Sequence, residues 1–151
     1  MTTITLAQSK KIKAAITILE KSAVVDSEAF SSAEFSKEYF RLRIASASRE
    51  IFSVAFLTTS HHLIAAEDMF IGTINQCAVY PREIAKRALE LNAQCVIISH
   101  NHPSGNATPS ASDDAITKRI KEGLALFDIR MLDHIIVTRC SSYSYAEAGI
   151  L

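Results

Sequence analysis

The chain has 151 residues, 48% hydrophobic and 21% charged, enough apolar material to bury the core of one ordinary globular domain. Sixteen basic residues balance sixteen acidic ones, so no net charge draws the protein to nucleic acid or an anionic surface. No apolar run approaches the roughly eighteen residues of a membrane span, and Met1-Thr2-Thr3-Ile4 lacks the charged start and apolar centre of a secretion signal, so a cytoplasmic setting without membrane contact is expected. Cys77, Cys95 and Cys140 are odd in number and form no Cys-x-x-Cys pair; they read as reduced thiols, with Cys95 in the core.

The pattern divides the chain into an N-terminal helical extension, residues 1–25, and a main domain, residues 26–151. A helix is predicted over 6–21, with Ile12, Ala15, Ile16 and Leu19 on one face and Lys10, Lys13 and Lys21 among its charges; it is expected to dock on the domain or on a second copy. Residues 24–30 read as linker. Ser31-x-x-Glu34 has capping-box spacing and predicts a helix to about residue 47, whose Phe35, Tyr39, Phe40 and Leu42 cover a sheet. Strands over 50–57 and 63–74 form an antiparallel hairpin, with His61 and His62 exposed at its turn and Gly72 marking a bulge or close backbone approach. Pro81 suits the first position of a helix over 81–92, with Ile84, Ala85, Ala88 and Leu91 on its apolar side.

Residues 94–99 are short, apolar and β-branched, as a buried strand requires, and positions i and i+2 of a strand point the same way. His100 and His102 can therefore aim at one point while Asn101 faces away. Pro103, Gly105 and Pro109 force a turn before Ser110, a suitable N-cap for a helix carrying Ile116, Ile120, Leu124 and Phe127 on its apolar face. Asp113 falls in the first turn of that helix, leaning towards the histidines. Ser110-x-x-Asp113 also fits an ordinary capping box, and the serine can serve both ends. Two imidazoles and one carboxylate suit zinc with a fourth position left to water, which becomes a nucleophile near neutral pH. A strand over 129–138 turns Leu132, His134 and Ile136 to one face and Asp133, Ile135 and Val137 to the other, His134 being a structural residue satisfied by a hydrogen bond; residues 141–145 suggest a last short strand. The sum is an α/β domain with a mixed sheet flanked by helices.

His100-x-His102-Pro103, six residues, Ser110-x-x-Asp113 resembles the signature of the JAMM (MPN⁺) metalloproteases, and the wording His-Asn-His-Pro-Ser-Gly with Pro-Ser-x-x-Asp is similar to its bacterial RadC branch. The likeness runs from about Ser31 to Leu151 and takes in Ile71-Gly72-Thr73-Ile74-Asn75, Tyr80-Pro81-Arg82-Glu83 and Leu132-Asp133-His134-Ile135-Ile136-Val137; the hairpin turn departs from the Asp-rich wording common there. The resemblance implies the JAMM/MPN (cytidine-deaminase-like) fold and a hydrolase of peptide or isopeptide bonds acting on a peptide or protein substrate. One Zn2+ per chain would be held by His100, His102 and Asp113, with Ser110 stabilising the oxyanion and an upstream glutamate as base. Glu50, opening the apolar run after a helix, matches that glutamate; Glu67 and Glu83 are the alternatives.

A second function class stays open, a DNA-repair-associated or DNA-binding module, as the RadC naming suggests. Its support is confined to three local basic clusters: Lys10, Lys11 and Lys13; Arg82, Lys86 and Arg87; Lys118, Arg119 and Lys121. The chain reads as a short form without the helix-hairpin-helix segment of longer RadC-like proteins, and homo-oligomerisation is left open. A His-x-His amidohydrolase barrel needs about 250 residues, and a zinc deaminase needs His-x-Glu with Pro-Cys-x-x-Cys.

Overall fold

Alternating apolar side chains build two cores, one on each face of one sheet. The computed structural model describes residues 4–26, 28–73 and 77–151. Its helices are α1 (Leu6–Val25), α2 (Ala33–Ile44), α3 (Pro81–Glu90) and α4 (Ala111–Ala125), and its strands β1 (Ile51–Leu57), β2 (Leu63–Ile71), β3 (Cys95–Asn101), β4 (Arg130–Val137) and β5 (Ser142–Ser144). The strand order is β2-β1-β3-β4-β5. β3 and β4 run parallel and all other neighbours antiparallel, so α4 supplies the crossover that a parallel pair needs.

Phe52, Val54 and Phe56 of β1 and Val96 and Ile98 of β3 pack under α3 and α4, against Ile84, Ala88, Ile120 and Leu124. The intervening Ala55, Leu57, Cys95 and Ile97 face the other way, under Tyr39, Phe40 and Ile44 of α2. Central β3 is buried along its whole length, which is why it reads as a nearly unbroken apolar run.

The N-terminal helix starts at a capping box between Thr5 and Gln8 and runs to Val25, past the expected end. Its predicted inward face is the one that docks: Ile16 and Leu19 pack on the α2-side core and Ala23 is fully buried. Glu20 ties α1 down by accepting from Tyr39 Oη at 2.7 Å and Arg43 Nη1 at 2.9 Å, while Arg43 Nε donates to Asp68 of β2 at 2.8 Å.

Several local expectations are corrected. The stretch read as linker holds the end of α1 and a 3₁₀ turn (Ala29–Ser31) whose Phe30 is buried edge-on against Phe35 and Tyr39. Because Ser31 closes that turn, the cap of α2 passes to Ser32, whose hydroxyl accepts from Phe35 N–H. His61 and His62 are half-buried rather than exposed. His61 Nδ1 lies 2.8 Å from Ser31 Oγ and His62 Nδ1 3.1 Å from the Val24 carbonyl, so the hairpin turn is fastened to the N-terminal segment. β2 ends at Ile71, and the expected strand beyond Thr73 lies outside the described residues, as do Ile74 and Asn75. Register shifts fall between the pairs Phe52–Phe70 and Ser53–Asp68 and between Phe56–Ala65 and Leu57–Leu63, and of the two expectations for Gly72 it is the backbone approach that holds, its N–H donating to Glu50 O at 2.8 Å. β4 takes a register shift opposite Val96 and Ile97, so Leu132 joins the α2-side core with Ile135 and Val137 and does not share the face of His134. α4 ends at Ala125, leaving Phe127 49% exposed.

One buried side chain pins the entry to β1. Asn101, at the end of β3, accepts from Ile51 N–H at 2.7 Å and donates to the carbonyls of Arg49 at 3.0 Å and Ala47 at 3.4 Å. It does face away from its neighbouring histidines, as alternation requires. Asn101→Ala would strand a buried amide, and we expect a loss of about 1–3 kcal/mol of unfolding free energy in urea titrations; an unchanged midpoint would show that this clamp carries no stability.

Candidate metal centre

His100 is the sixth residue of β3, paired with Phe52 across β1 and with Ile136 across β4. The strand runs further than residues 94–99: it takes in His100 and Asn101, and His102 N–H still donates to Val137 O at 3.0 Å. Strand geometry thus persists through both histidines, and their rings turn to the same side with centroids 4.8 Å apart. Pro103 then ends the pairing, and the chain turns back with Gly105 in the left-handed region, φ +89°.

Ser110 caps α4 in a reciprocal capping box: its hydroxyl accepts from Asp113 N–H at 3.1 Å, and its own N–H donates to Asp113 Oδ2 at 2.7 Å. The Ser110 hydroxyl also donates to Oδ2, at 2.7 Å. With Oδ2 so engaged, Oδ1 is the oxygen turned to His100, 3.1 Å from its Nε2. The capping box therefore orients the carboxylate that faces the histidines.

Glu50 arrives from the link between α2 and β1. Its backbone is held by Thr73 O at 3.0 Å and Gly72 N at 2.8 Å, its flanking residues by Asn101. Its side chain puts Oε1 3.8 Å from His100 Nε2. The two alternative glutamates lie elsewhere: Glu67 is engaged by Arg87, Nη2 to Oε1 at 2.6 Å, and Glu83 is exposed in the first turn of α3.

Four donor atoms, one each from Glu50, His100, His102 and Asp113, lie within 4.8 Å of one another. The Nε2 atoms of His100 and His102 are 2.9 Å apart, and His102 Nε2 is 3.4 Å from Asp113 Oδ2. Bonds of 2.0–2.2 Å to a tetrahedral zinc would separate ligand atoms by roughly 3.3–3.6 Å, so the His100, His102 and Asp113 atoms, 2.9–3.4 Å apart, need only small outward shifts to take a small divalent cation. Imidazole nitrogen with carboxylate oxygen is a donor set that zinc accepts and that leaves room for other first-row metals.

The electrostatics follow from burial and crowding. Burial alone would raise the Asp113 carboxyl, but hydrogen bonding with His100 and His102 holds it well below the usual carboxylate range. His102 is raised by its hydrogen bond with Asp113, against burial. Burial pushes Glu50 up, and the Asp113 charge adds to this, against the pull of the histidines. The cluster floors an open cleft of about 530 Å³. Phe52, Val79 and Ile116 form its apolar wall, Ser104 and Ser112 stand in its lining, and Cys77, raised to about 11 chiefly by burial, also borders it.

Of two further neighbours of the site, Thr117 escaped the reading of the sequence, while His134 is the hydrogen-bonded buried residue expected. His134 is fully buried beside His100, Nε2 to Nδ1 2.8 Å, and Thr117 of α4 contacts its other nitrogen. Thr117 stands four residues after Asp113, a spacing that marks one helix face, but only the crossover reveals that β4 brings a histidine to meet it.

A family model described as RadC-like JAB domain matches residues 30–150. The chain belongs to this family. Among curated RadC-family relatives, a UPF0758 protein from Methylibium petroleiphilum is 50% identical over 130 residues, 86% of this chain and 59% of that protein. A Vibrio cholerae UPF0758 protein is 45% identical over 95% of this chain and 90% of its own length, and UPF0758 protein YfjY of Escherichia coli is 42% identical over 97% and 91%. The chain thus spans under two thirds of some RadC-family relatives and nearly all of others. The family-model match begins at residue 30, after α1. No helix among the described residues is long and apolar enough to cross a membrane.

His134 supplies a pH signature. Burial, reinforced by the charge of His100, lowers its pKa well below 6.5. The unfolded chain therefore binds a proton near pH 6.5 that the folded chain refuses, and stability present above that pH is lost as pH falls through it. In urea unfolding of metal-free protein, the stability advantage of the wild type over His134→Asn is expected to shrink by about 1.4 kcal/mol between pH 7.5 and 5.5. A constant difference would place a proton on His134 in the folded state.

Proposed function

We propose that the protein is a zinc-dependent hydrolase of peptide or isopeptide bonds. The observation that carries this reading is the convergence of His100, His102, Asp113 and Glu50 on one small volume at the floor of an open cleft. His100, His102 and Asp113 would hold the ion. When bound there, zinc supplies Lewis acidity, which makes water more acidic and an amide carbonyl more electrophilic.

The chain's own residues supply the rest. Glu50 takes the proton of the attacking water at its carboxylate and returns it to the leaving amine. Ser110 would donate its hydroxyl to the developing oxyanion. In the structure its proton is given to Asp113 Oδ2, so this role needs the hydroxyl to rotate away from the carboxylate. Phe52, Val79 and Ile116 shield one side of the cleft from water.

The charge of the cleft bears on the substrate. No lysine or arginine stands among the described residues lining it, whereas two carboxylates do. With a divalent cation bound the two carboxylates are offset, so the lining offers a phosphodiester no basic side chain beyond the ion itself. The basic clusters speak no louder for nucleic acid: Arg87 is engaged by Glu67 and Glu90, and Lys118 lies 3.9 Å from Glu122.

Metal analysis of protein purified without a chelating tag is expected to give one zinc per chain, and His102→Ala should lose it. Glu50→Gln should keep zinc while hydrolysis of a peptide or isopeptide substrate falls by roughly 10²–10⁴-fold. Retention of a full equivalent of tightly bound zinc by His102→Ala would refute the ligand set. Labelled DNA titrated at several salt concentrations should bind weakly at physiological salt, with or without Asp113→Ala; tight binding abolished by that substitution would tie the metal centre to nucleic acid instead.

A further inference from the structure

Behind His100 runs a chain of hydrogen bonds that the hydrolysis just described does not use. His134 of β4 is fully buried, with Nε2 2.8 Å from His100 Nδ1. Its Nδ1 meets the hydroxyl of Thr117 on α4, and that hydroxyl lies 2.6 Å from the backbone carbonyl of Asp113, one helical turn earlier. Tyr145 stacks on the His134 ring, centroids 5.0 Å apart and planes 8° from parallel, which fixes the ring's plane.

The direction of every bond in this chain follows from its last member. A carbonyl only accepts, so the single proton of the Thr117 hydroxyl points to Asp113 O. The Thr117 oxygen is then the acceptor for His134 Nδ1–H. A neutral imidazole protonated at Nδ1 carries its lone pair on Nε2, so His134 accepts from His100 Nδ1–H. His100 is thereby protonated at Nδ1, so once any proton its Nε2 shares with the Asp113 carboxylate has left, the lone pair falls on Nε2, the atom facing His102 and Asp113. His102 reaches the same state more directly, with Nδ1 2.7 Å from the carbonyl of Asn106.

We propose that Thr117 and His134 are positioning residues forming a tautomer relay, anchored on the backbone carbonyl of Asp113, that commits Nε2 of His100 to a cation. This rests on the reading of the cluster as a metal centre. Asp113 serves it twice, through its carboxylate towards the ion and through its carbonyl at the end of the relay. The opposite tautomer of His134 would donate from Nε2 to His100 Nδ1, leaving the His100 proton on Nε2 and pointing a donor at the cation. Outer partners that fix a ligand's tautomer typically change metal affinity by about 10–100-fold when lost.

The test uses the full chain with ¹⁵N-labelled histidine, first metal-free and then with zinc, as wild type, Thr117→Val and Thr117→Ser. In metal-free wild type, nitrogen shifts and long-range couplings should report His134 and His100 both protonated at Nδ1. Thr117→Val, nearly the same shape without the hydroxyl, should mix or invert the His134 tautomer and weaken zinc binding about 10–100-fold in competition with a chromophoric chelator, and Thr117→Ser should restore both. Wild-type His134 protonated at Nε2, or a Thr117→Val chain with unchanged tautomers and affinity, would overturn the relay. Absence of zinc binding by the wild type would overturn the metal centre and the relay's purpose with it, whereas intact zinc binding with the wrong tautomers would overturn the relay alone.

Discussion

The burial of β3 on both faces governs the rest of this structure. A strand hydrogen-bonded to β1 on one side and β4 on the other has no solvent to turn to, so the polar residues at its end need partners from neighbouring elements. Asn101 finds them in the link between α2 and β1, and in doing so holds the residues on either side of Glu50. His100 finds His134 on β4. Ser99, whose hydroxyl has no partner among the described residues, shows what the same position looks like when none is supplied. Satisfying buried polar atoms of one strand thus places a carboxylate on one side of the site and a third imidazole, His134, behind it.

Asp113 shows why a structural and a chemical reading of the same motif need not compete. A carboxylate in the first turn of a helix is favoured by the helix dipole and by the exposed N–H groups there. The capping box uses Oδ2 and leaves Oδ1 for His100. Local helix energetics thereby orient the group that the centre needs, and they do so at the carboxyl end of β3, where the crossover into a parallel strand opens a crevice beside the sheet.

Much of this was legible in the sequence because it rests on local periodicity. The i, i+2 relation of His100 and His102, the cap at Ser110, the Pro81 helix start and the inward face of α1 are all set within a few residues. What was not legible depended on register and on contacts far apart in the chain. Leu132 changed face because β4 takes a bulge, and no single strand announces where its partner will shift. Ser31 lost its capping role to Ser32 because a 3₁₀ turn, buried through Phe30, consumed it. The half-burial of His61 and His62 came from a neighbouring segment folding across the hairpin turn. Glu50 could be matched to a family pattern, yet periodicity alone could not bring it to the site, since its approach to His100 depends on Asn101 some fifty positions later.

The charges of the site supply the last step. Two carboxylates and two imidazoles share a volume a few ångströms across, largely withdrawn from water. Both His102 and Glu50 have pKa values shifted upward, so each is more ready to hold a proton than it would be in solution. Burial is the main cause for Glu50 and the hydrogen bond with Asp113 for His102, while Asp113 itself is lowered; the two neighbouring carboxylates set the demand for positive charge. Protons satisfy that demand only partly, because one proton cannot engage four donors that point inward from three elements. A divalent cation would meet the charge of two carboxylates and the lone pairs of two imidazoles together, and its binding would favour the unprotonated forms of His102 and Glu50. In the case of Glu50, that is the form in which a carboxylate can act as a base.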